Sequence, residues 1–399
     1  MPLTLPRAPI VVLAIVTSGC GGPSDPAEPL GPASASTTLP SPAINMRLLS
    51  RLDLATITSV VSATSNPPDD PAPPDHSAHD AQQATRGAGN WGYTAPDGRR
   101  FALTGTSFGL SIDEVSQPTR PRHVALISGP ESGWREVKTY RDLAYVTTEA
   151  SHGLDVIDLR TPDKPVKVRT YSDTFTSAHT LCLDESRGIL FANGTRLNGR
   201  DSGMRVLSLA DPRQPREIGS FGSFYIHDCV VRGNTLYASA IYDGFLAVLD
   251  ISDPTKVREQ TRFSTGRRFT HNSWPTANGR FLFTTDERPD APLEAWDISD
   301  PFRPSKVSEY LGKPGTVPHN VSVVEGNRLL VAHYTDGVHL LDIADPAKPR
   351  LIGRYDTFTS EVEGQVFDGV WGAYMFPGTK LIVASDMSNG LFVLEYTGR

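Results

Sequence analysis

The sequence has few cysteines, no cluster of basic residues and no long amphipathic helical pattern. Its three cysteines, Cys20, Cys182 and Cys229, are too few for a scaffold built on disulfides. A net charge of −7 with 21% charged residues gives no basic face, so we expect no nucleic-acid partner. The 34 glycines and 33 prolines are typical of a chain with frequent turns, which predicts an all-β protein.

Cys182 and Cys229 lie close to the starts of two predicted strands. Cys182 follows His179 by three residues, and Cys229 follows His227 by two. Because side chains alternate between the faces of a strand, these two are expected to point in opposite directions. The pattern therefore predicts two separate buried thiols, with a disulfide formed at a bulge as the alternative.

The N-terminus resembles a bacterial lipoprotein signal over residues 1–19. Its apolar run, residues 8–16, is too short to span a bilayer and fits a secretory signal. Two small residues precede Cys20, which predicts lipidation there; an ordinary signal peptide that leaves Cys20 as a free thiol is the alternative. Gly21 after it resembles sorting signals for the outer membrane or cell surface. We therefore expect an exported protein bound to the membrane through its N-terminal lipid.

Two stretches are predicted to lack regular structure. Residues 20–44 are rich in Pro, Ser and Ala and predict a flexible tether, and residues 55–89 predict a mostly disordered loop. His76 and His79 in the loop could hold a metal ion loosely, but a solvated loop is the simpler interpretation.

A unit of four short strands, clearest at residues 319–357, recurs along residues 90–399 in steps of 43 to 52 residues. Repeats of this length with four strands each predict a seven-bladed β-propeller of antiparallel blades. The final unit stops after its third strand, whereas residues 45–54 match the fourth strand of the unit at 319–357. We therefore expect residues 45–54 to pair with residues 389–396 and close the ring. The blades are predicted to start near Trp91, Trp134, His179, His227, His271, His319 and Trp371.

Four segments carry a family pattern: NWGYTAPDGRRFALTG, IHDCVV, THNSWPTANGRFLFTTDE and PHNVSVVEGNRLLVAHYTDGVHLLDI. They resemble the LVIVD repeat, and residues 45–399 resemble the choice-of-anchor B family of secreted bacterial propeller proteins. The resemblance implies a propeller fold and an exported location, and it implies no particular reaction.

The first strand of each blade is expected to line the central channel, and its start shares one mouth with the end of the second strand. Imidazoles, indoles and carboxylates facing one mouth could bind a polar ligand or a metal ion. The alternative is that the repeated His and Trp residues only pack between blades. Besides Trp91, the residues predicted at the mouth are Trp134, Glu149, His179, His227, His271, Asp286, Glu287, His319, His333, Trp371 and Asp386. Metal ligands, if a divalent ion binds, are expected among His179, His227, His271, His319, Glu149 and Asp286.

Neither a calcium-binding loop nor a nucleophile elbow is found in the sequence. We therefore expect no catalytic residue and no cofactor other than a possible divalent metal. The leading hypothesis is a monomeric, surface-displayed binding module for an extracellular glycan, peptide or protein. A metal-dependent hydrolase or lyase and a purely structural envelope protein are the alternatives.

Overall fold

The computed structural model describes residues 43–60, 85–197, 199–358 and 366–398, whose regular structure is β apart from one short helix. Cys20, His76, His79, residues 1–19 and all but the last two residues of the predicted tether lie outside these ranges. Among the described residues, no helix is long and apolar enough to cross a bilayer.

Seven sheets of four antiparallel strands form the blades, which confirms the predicted seven-bladed propeller. The first strand, β1 (Met46–Leu52), is followed by the helix α1 (Leu54–Ile57). Blade 1 comprises β2 (Gly87–Thr94), β3 (Arg100–Thr106), β4 (Gly109–Glu114) and β5 (Arg122–Ser128). Blade 2 comprises β6 (Val137–Tyr140), β7 (Leu143–Val146), β8 (Leu154–Asp158) and β9 (Val166–Tyr171). Blade 3 comprises β10 (Thr180–Asp184), β11 (Ile189–Leu197), β12 (Arg200–Ser208) and β13 (Arg216–Phe221).

The remaining blades follow the same order. Blade 4 comprises β14 (Asp228–Arg232), β15 (Thr235–Ala240), β16 (Phe245–Asp250) and β17 (Arg258–Ser264). Blade 5 comprises β18 (Thr270–Pro275), β19 (Phe281–Asp286), β20 (Leu293–Asp297) and β21 (Ser305–Tyr310). Blade 6 comprises β22 (Val321–Val324), β23 (Arg328–Ala332), β24 (Val338–Asp342) and β25 (Arg350–Tyr355). Blade 7 comprises β26 (Val370–Met375), β27 (Leu381–Asp386), β28 (Gly390–Tyr396) and, on its outer edge, β1.

The burial of each strand follows its place in the blade. Middle strands such as β27, with the sequence LIVASD, are buried along their whole length. The outer strand β17, REQTRFS, instead alternates exposed and half-buried positions and carries charges on its free edge. Charged outer strands discourage the pairing of blades with other chains.

Aspartates fix the turn between the third and fourth strands. In blade 4 the carboxylate of Asp250 accepts a hydrogen bond from the Ser252 amide, and that of Asp253 accepts one from the Thr255 amide. Asp342 and Asp345 make the same contacts in blade 6. These turns favour Asp and Pro because the side chain replaces a backbone partner, which explains why the pattern recurs.

β1 supplies the outer strand of blade 7. It pairs antiparallel with β28, with Met46 opposite Tyr396 and Leu52 opposite Leu391. This is the contact expected between residues 45–54 and 389–396. Just before β1, Ile44 bridges to Arg354 in blade 6, so the strand contacts two neighbouring blades.

Cys182 and Cys229 form a disulfide between β10 and β14, with their Cα atoms 5.8 Å apart. The prediction of two separate thiols is therefore wrong. The two strands belong to successive blades that stack face to face and do not share a sheet. Each blade packs one face of its sheet against the opposite face of the next blade. A side chain on one face of β10 can therefore contact a side chain on the opposite face of β14.

Candidate functional site

The seven inner strands run in the same direction, and their equivalent residues form successive levels along the central channel. Cross-strand register defines these levels, because each inner strand pairs with the second strand of its blade. We name the first level the histidine ring. Its members are Ala88, Arg135, His179, His227, His271, His319 and Trp371.

Four imidazoles from four successive blades lie against one another in this ring. Ring centroids are 4.1 Å apart for His179 and His227, and 4.5 Å apart for His227 and His271. His271 and His319 are again 4.1 Å apart, and His319 contacts Trp371 at 5.1 Å. The structure therefore brings the four predicted histidines and Trp371 together at one mouth.

Two tryptophans predicted for this mouth are not in the histidine ring. Trp134 is 46% exposed and precedes the ring position by one residue. That position is held by the buried Arg135, whose Nε donates to the Thr106 carbonyl at 2.9 Å. Trp91 lies three residues beyond the ring position of its own strand, towards the other end of the channel.

Two glutamates contact the histidine ring. Glu149 accepts a hydrogen bond from His179 Nδ1 at 2.6 Å. Burial acts to raise the pKa of Glu149. The hydrogen bond from His179 and the electrostatic attraction of His179 and Arg196 outweigh burial, so the pKa is lowered. Glu287 Oε1 accepts from the Tyr334 hydroxyl at 2.6 Å, and its Oε2 lies 4.0 Å from His271 Nε2. Burial raises the pKa of Glu287.

Asp286 and Asp386 do not face the ring. Asp286 accepts hydrogen bonds from the Thr265 hydroxyl and from the Arg267 and Phe269 amides, and so fixes the loop before β18. Asp386 likewise accepts hydrogen bonds from the Thr357 hydroxyl and the Ser388 amide. Both carboxylates stabilise loops, which makes Asp286 unsuitable as a ligand for a metal at the ring.

His333 also lies apart from the ring. Its imidazole stacks on His339, with ring centroids 5.1 Å apart. It lines a separate cavity of about 420 Å³ between blades 5 and 6, together with Glu294, Lys306 and Lys313.

Burial keeps the central imidazoles uncharged. It lowers the pKa of His227 and of His271 far below the ordinary value, and neighbouring histidines lower both further. The pKa of His319 falls to about 3, chiefly through burial. Its Nδ1 donates to the Trp371 carbonyl at 2.6 Å, so this ring carries its proton on Nδ1.

One group of side chains in the described part of the chain has the spacing of metal ligands. It comprises His227, His271 and Glu287, with ligand atoms all within 4.8 Å of one another. Two of its members were predicted as metal ligands, whereas Glu287 was predicted only at the mouth. His179 and His319 are not in this group, and Glu149 contacts His179.

The next level, one residue further along each inner strand, is a polar belt. Asn272 Nδ2 donates to Asp228 Oδ2 at 2.6 Å, and Glu136 accepts from the Trp371 indole at 2.7 Å. Burial raises the pKa of both carboxyls. The members of the polar belt are Gly89, Glu136, Thr180, Asp228, Asn272, Asn320 and Gly372.

Aromatic side chains surround the opposite end of the channel, which we name the tryptophan mouth. It comprises Trp91, Lys138, Trp274 and Tyr374, each two residues beyond the polar belt. Trp91 and Tyr374 have ring centroids 4.9 Å apart, and Lys138 Nζ lies 3.8 Å from the Trp91 ring centre. Burial lowers the pKa of Lys138.

Two cavities adjoin at the tryptophan mouth, and both are lined by Trp91 and Trp274. One, of about 250 Å³, is mainly apolar and includes Tyr374. The other, of about 320 Å³, includes Lys138 and reaches Asp228 in the polar belt. Trp274, Lys138 and Asp228 were not predicted as site residues, although Trp274 and Lys138 each follow the ring position by three residues, as Trp91 does, and this spacing was a signal in the sequence.

Residues 225–265 and 319–357 match the family model of the LVIVD repeat. These segments contain the four strands of blade 4 and of blade 6. No curated protein matches the chain. The protein is thus a β-propeller that contains LVIVD repeats.

Proposed function

We propose that this protein is an extracellular binding module that holds a glycan segment at the tryptophan mouth of its channel. The observation that carries the proposal is the placement of Trp91, Trp274 and Tyr374 around two adjoining cavities. The larger of the two also leads to the carboxylate, amide and ammonium groups of Asp228, Asn272 and Lys138.

This combination suits a saccharide. A sugar ring presents an apolar face, which an indole or phenol ring can cover, and hydroxyls around its edge, which need hydrogen-bond partners. Trp91 and Trp274 offer the flat surfaces. Asp228 and Asn272 already hydrogen-bond to each other, but the carboxylate has further lone pairs and the amide has a second hydrogen for a ligand. A few polar groups at the end of an aromatic cavity fix the orientation of such a ligand.

The proposal includes an exported, lipid-anchored and monomeric protein. The signal-like residues 1–19, followed by Cys20 and a Pro-rich tether, support lipidation and display at the outer membrane or cell surface. The Cys182–Cys229 disulfide supports export independently, since disulfides persist mainly in oxidising compartments. Charged outer strands support a monomer.

The test is a titration of the mature chain with a set of soluble oligosaccharides, in which tryptophan fluorescence reports binding. We expect Trp91→Ala and Trp274→Ala each to weaken binding at least tenfold, because each removes one stacking surface. Trp134→Ala is the matched control, since this exposed tryptophan lies outside the tryptophan mouth. Failure of every oligosaccharide to bind, or an equal loss in the control, would contradict the proposal.

A metal-dependent hydrolase or lyase is the second candidate. The grouping of His227, His271 and Glu287 favours it, because two imidazoles and one carboxylate also form the ligand set of some catalytic zinc sites. Such an enzyme would lose turnover of a bound substrate on treatment with a chelator and regain it with zinc. Turnover that is unchanged by a chelator would eliminate this candidate.

A further inference from the structure

We infer that His227, His271 and Glu287 bind a divalent transition-metal ion of the zinc class at the histidine ring. Each residue offers one ligand atom, and these atoms lie within 4.8 Å of one another. Ligands about 2.0–2.2 Å from a common ion are separated by roughly 3–4 Å, so the side chains need only a small movement to close around it.

The carboxylate is held in the orientation that a metal ligand needs. Tyr334 donates its hydroxyl hydrogen to Glu287 Oε1, whereas Oε2 lies on the side of His271 Nε2, 4.0 Å away. Tyr334 itself is buried and stacks on His319, with ring centroids 4.4 Å apart. Outer partners of this kind fix a ligand before the ion arrives.

The imidazoles have nitrogens without a partner. His227 and His271 are each more than nine-tenths buried, and the Nδ1 atom of each lacks a hydrogen-bond partner. A buried polar atom without a partner costs about 1–3 kcal/mol. A bound ion would take one nitrogen of each neutral ring, and the other nitrogen would carry the proton.

The ligand types select the kind of ion. Two imidazole nitrogens and one carboxylate oxygen suit zinc, cobalt, nickel or copper, whereas calcium and magnesium prefer sites made of oxygen. Three protein ligands leave a further position open for water or an exogenous group. His179 lies beside this group of ligands, with its Nε2 3.2 Å from His227 Nε2.

The metal site does not depend on the proposed glycan site. The histidine ring and the tryptophan mouth lie at opposite ends of the inner strands, three residues apart along β18 in the case of His271 and Trp274. A protein that binds metal but no glycan would contradict the proposed function alone, and the reverse result would contradict the metal site alone.

Visible absorption of cobalt(II) tests the inference on chelator-treated mature protein, with zinc as the competitor. We expect one cobalt ion per chain, with ligand-field bands that zinc abolishes. His227→Ala and His271→Ala should each weaken binding about a hundredfold, and the isosteric Glu287→Gln at least tenfold. Tyr334→Phe should weaken it about tenfold, because it removes only the outer partner.

His152→Ala is the control, since His152 pairs with Asp155 in blade 2, away from the ring. Circular dichroism establishes that each variant is folded, and Glu287→Gln preserves the test if a histidine variant does not fold. The inference is overturned if micromolar cobalt and zinc fail to bind, or if Glu287→Gln and a folded histidine variant keep wild-type affinity.

Discussion

The buried imidazole of His333 makes the stability of the protein sensitive to acid. Burial, to which the neighbouring His339 and Arg354 add, lowers its pKa to about 3, whereas Asp336 opposes the shift. A base whose folded-state pKa is depressed must remain neutral in the fold, while the unfolded chain takes up a proton below pH 6.5. Its contribution to stability is therefore complete above pH 6.5 and is lost as the pH falls towards 3.

We expect the protonation of this single group in the unfolded chain to make the free energy of unfolding about 2 kcal/mol lower at pH 5 than at pH 7. Urea unfolding of the wild type and of His333→Gln at the two pH values measures it. The variant should be less stable at pH 7 and lose less stability on acidification. An identical pH dependence in His333→Gln and the wild type would contradict the assignment.

The disulfide joins the inner strands of blades 3 and 4 across a sequence separation of 47 residues. Closing a loop of this length restricts the unfolded chain and contributes about 4 kcal/mol in the chain-entropy model. We therefore expect the double variant Cys182→Ser, Cys229→Ser to unfold at a lower temperature by several degrees. Calorimetry with and without reductant measures the difference.

Reductant serves as the internal control for this prediction. It should lower the unfolding temperature of the wild type and leave that of the double variant unchanged. Equal unfolding temperatures of the oxidised wild type and the double variant would show that the crosslink does not restrict the unfolded chain.

At the level of strands, the sequence predicted the repeats well because each one contains the same local chemistry. The Asp-Pro turn after the third strand recurs for a physical reason, as Asp250 and Asp342 show. The register between paired strands was harder to predict, because it depends on hydrogen bonds between residues that are distant in the sequence. Trp91 lies three residues beyond the ring position of β2, and Trp134 precedes the ring position of its own blade by one residue.

Contacts between blades could not be derived from alternation within one strand. The Cys182–Cys229 pair was missed because that rule applies to one sheet, whereas the two residues lie on facing sheets. Glu287 and His271 were both predicted at this mouth, but Glu287 was not predicted as a metal ligand, since its orientation depends on Tyr334 from the neighbouring blade 6.

Closure of the whole ring depends on packing of β1 against its neighbours. Met46 is 4% exposed and belongs to the apolar core between blades 6 and 7, whereas Leu48 on the same strand is 42% exposed. We expect Met46→Ala to lower the unfolding free energy by about 2–3 kcal/mol, because it removes buried apolar volume. Leu48→Ala should change it by less than about 0.5 kcal/mol.

Chemical denaturation of both variants measures these values. Because both residues lie in β1, the comparison separates the loss of buried packing from a change in strand propensity. Equal destabilisation by the two substitutions would contradict the role of Met46 in holding the ring closed.

The pairing of β1 with β28 also affects the order in which the chain can fold. Arg47 and Glu395 form an ion pair across 348 residues of sequence. Contacts so distant along the chain form slowly, because a long loop must first close. The ribosome makes β1 before any blade, yet β1 has no partner until β28 has been made. The first strand to be synthesised is thus the last to pair. Between the synthesis of β28 and its pairing with β1, the outer edge of blade 7 can pair with other chains.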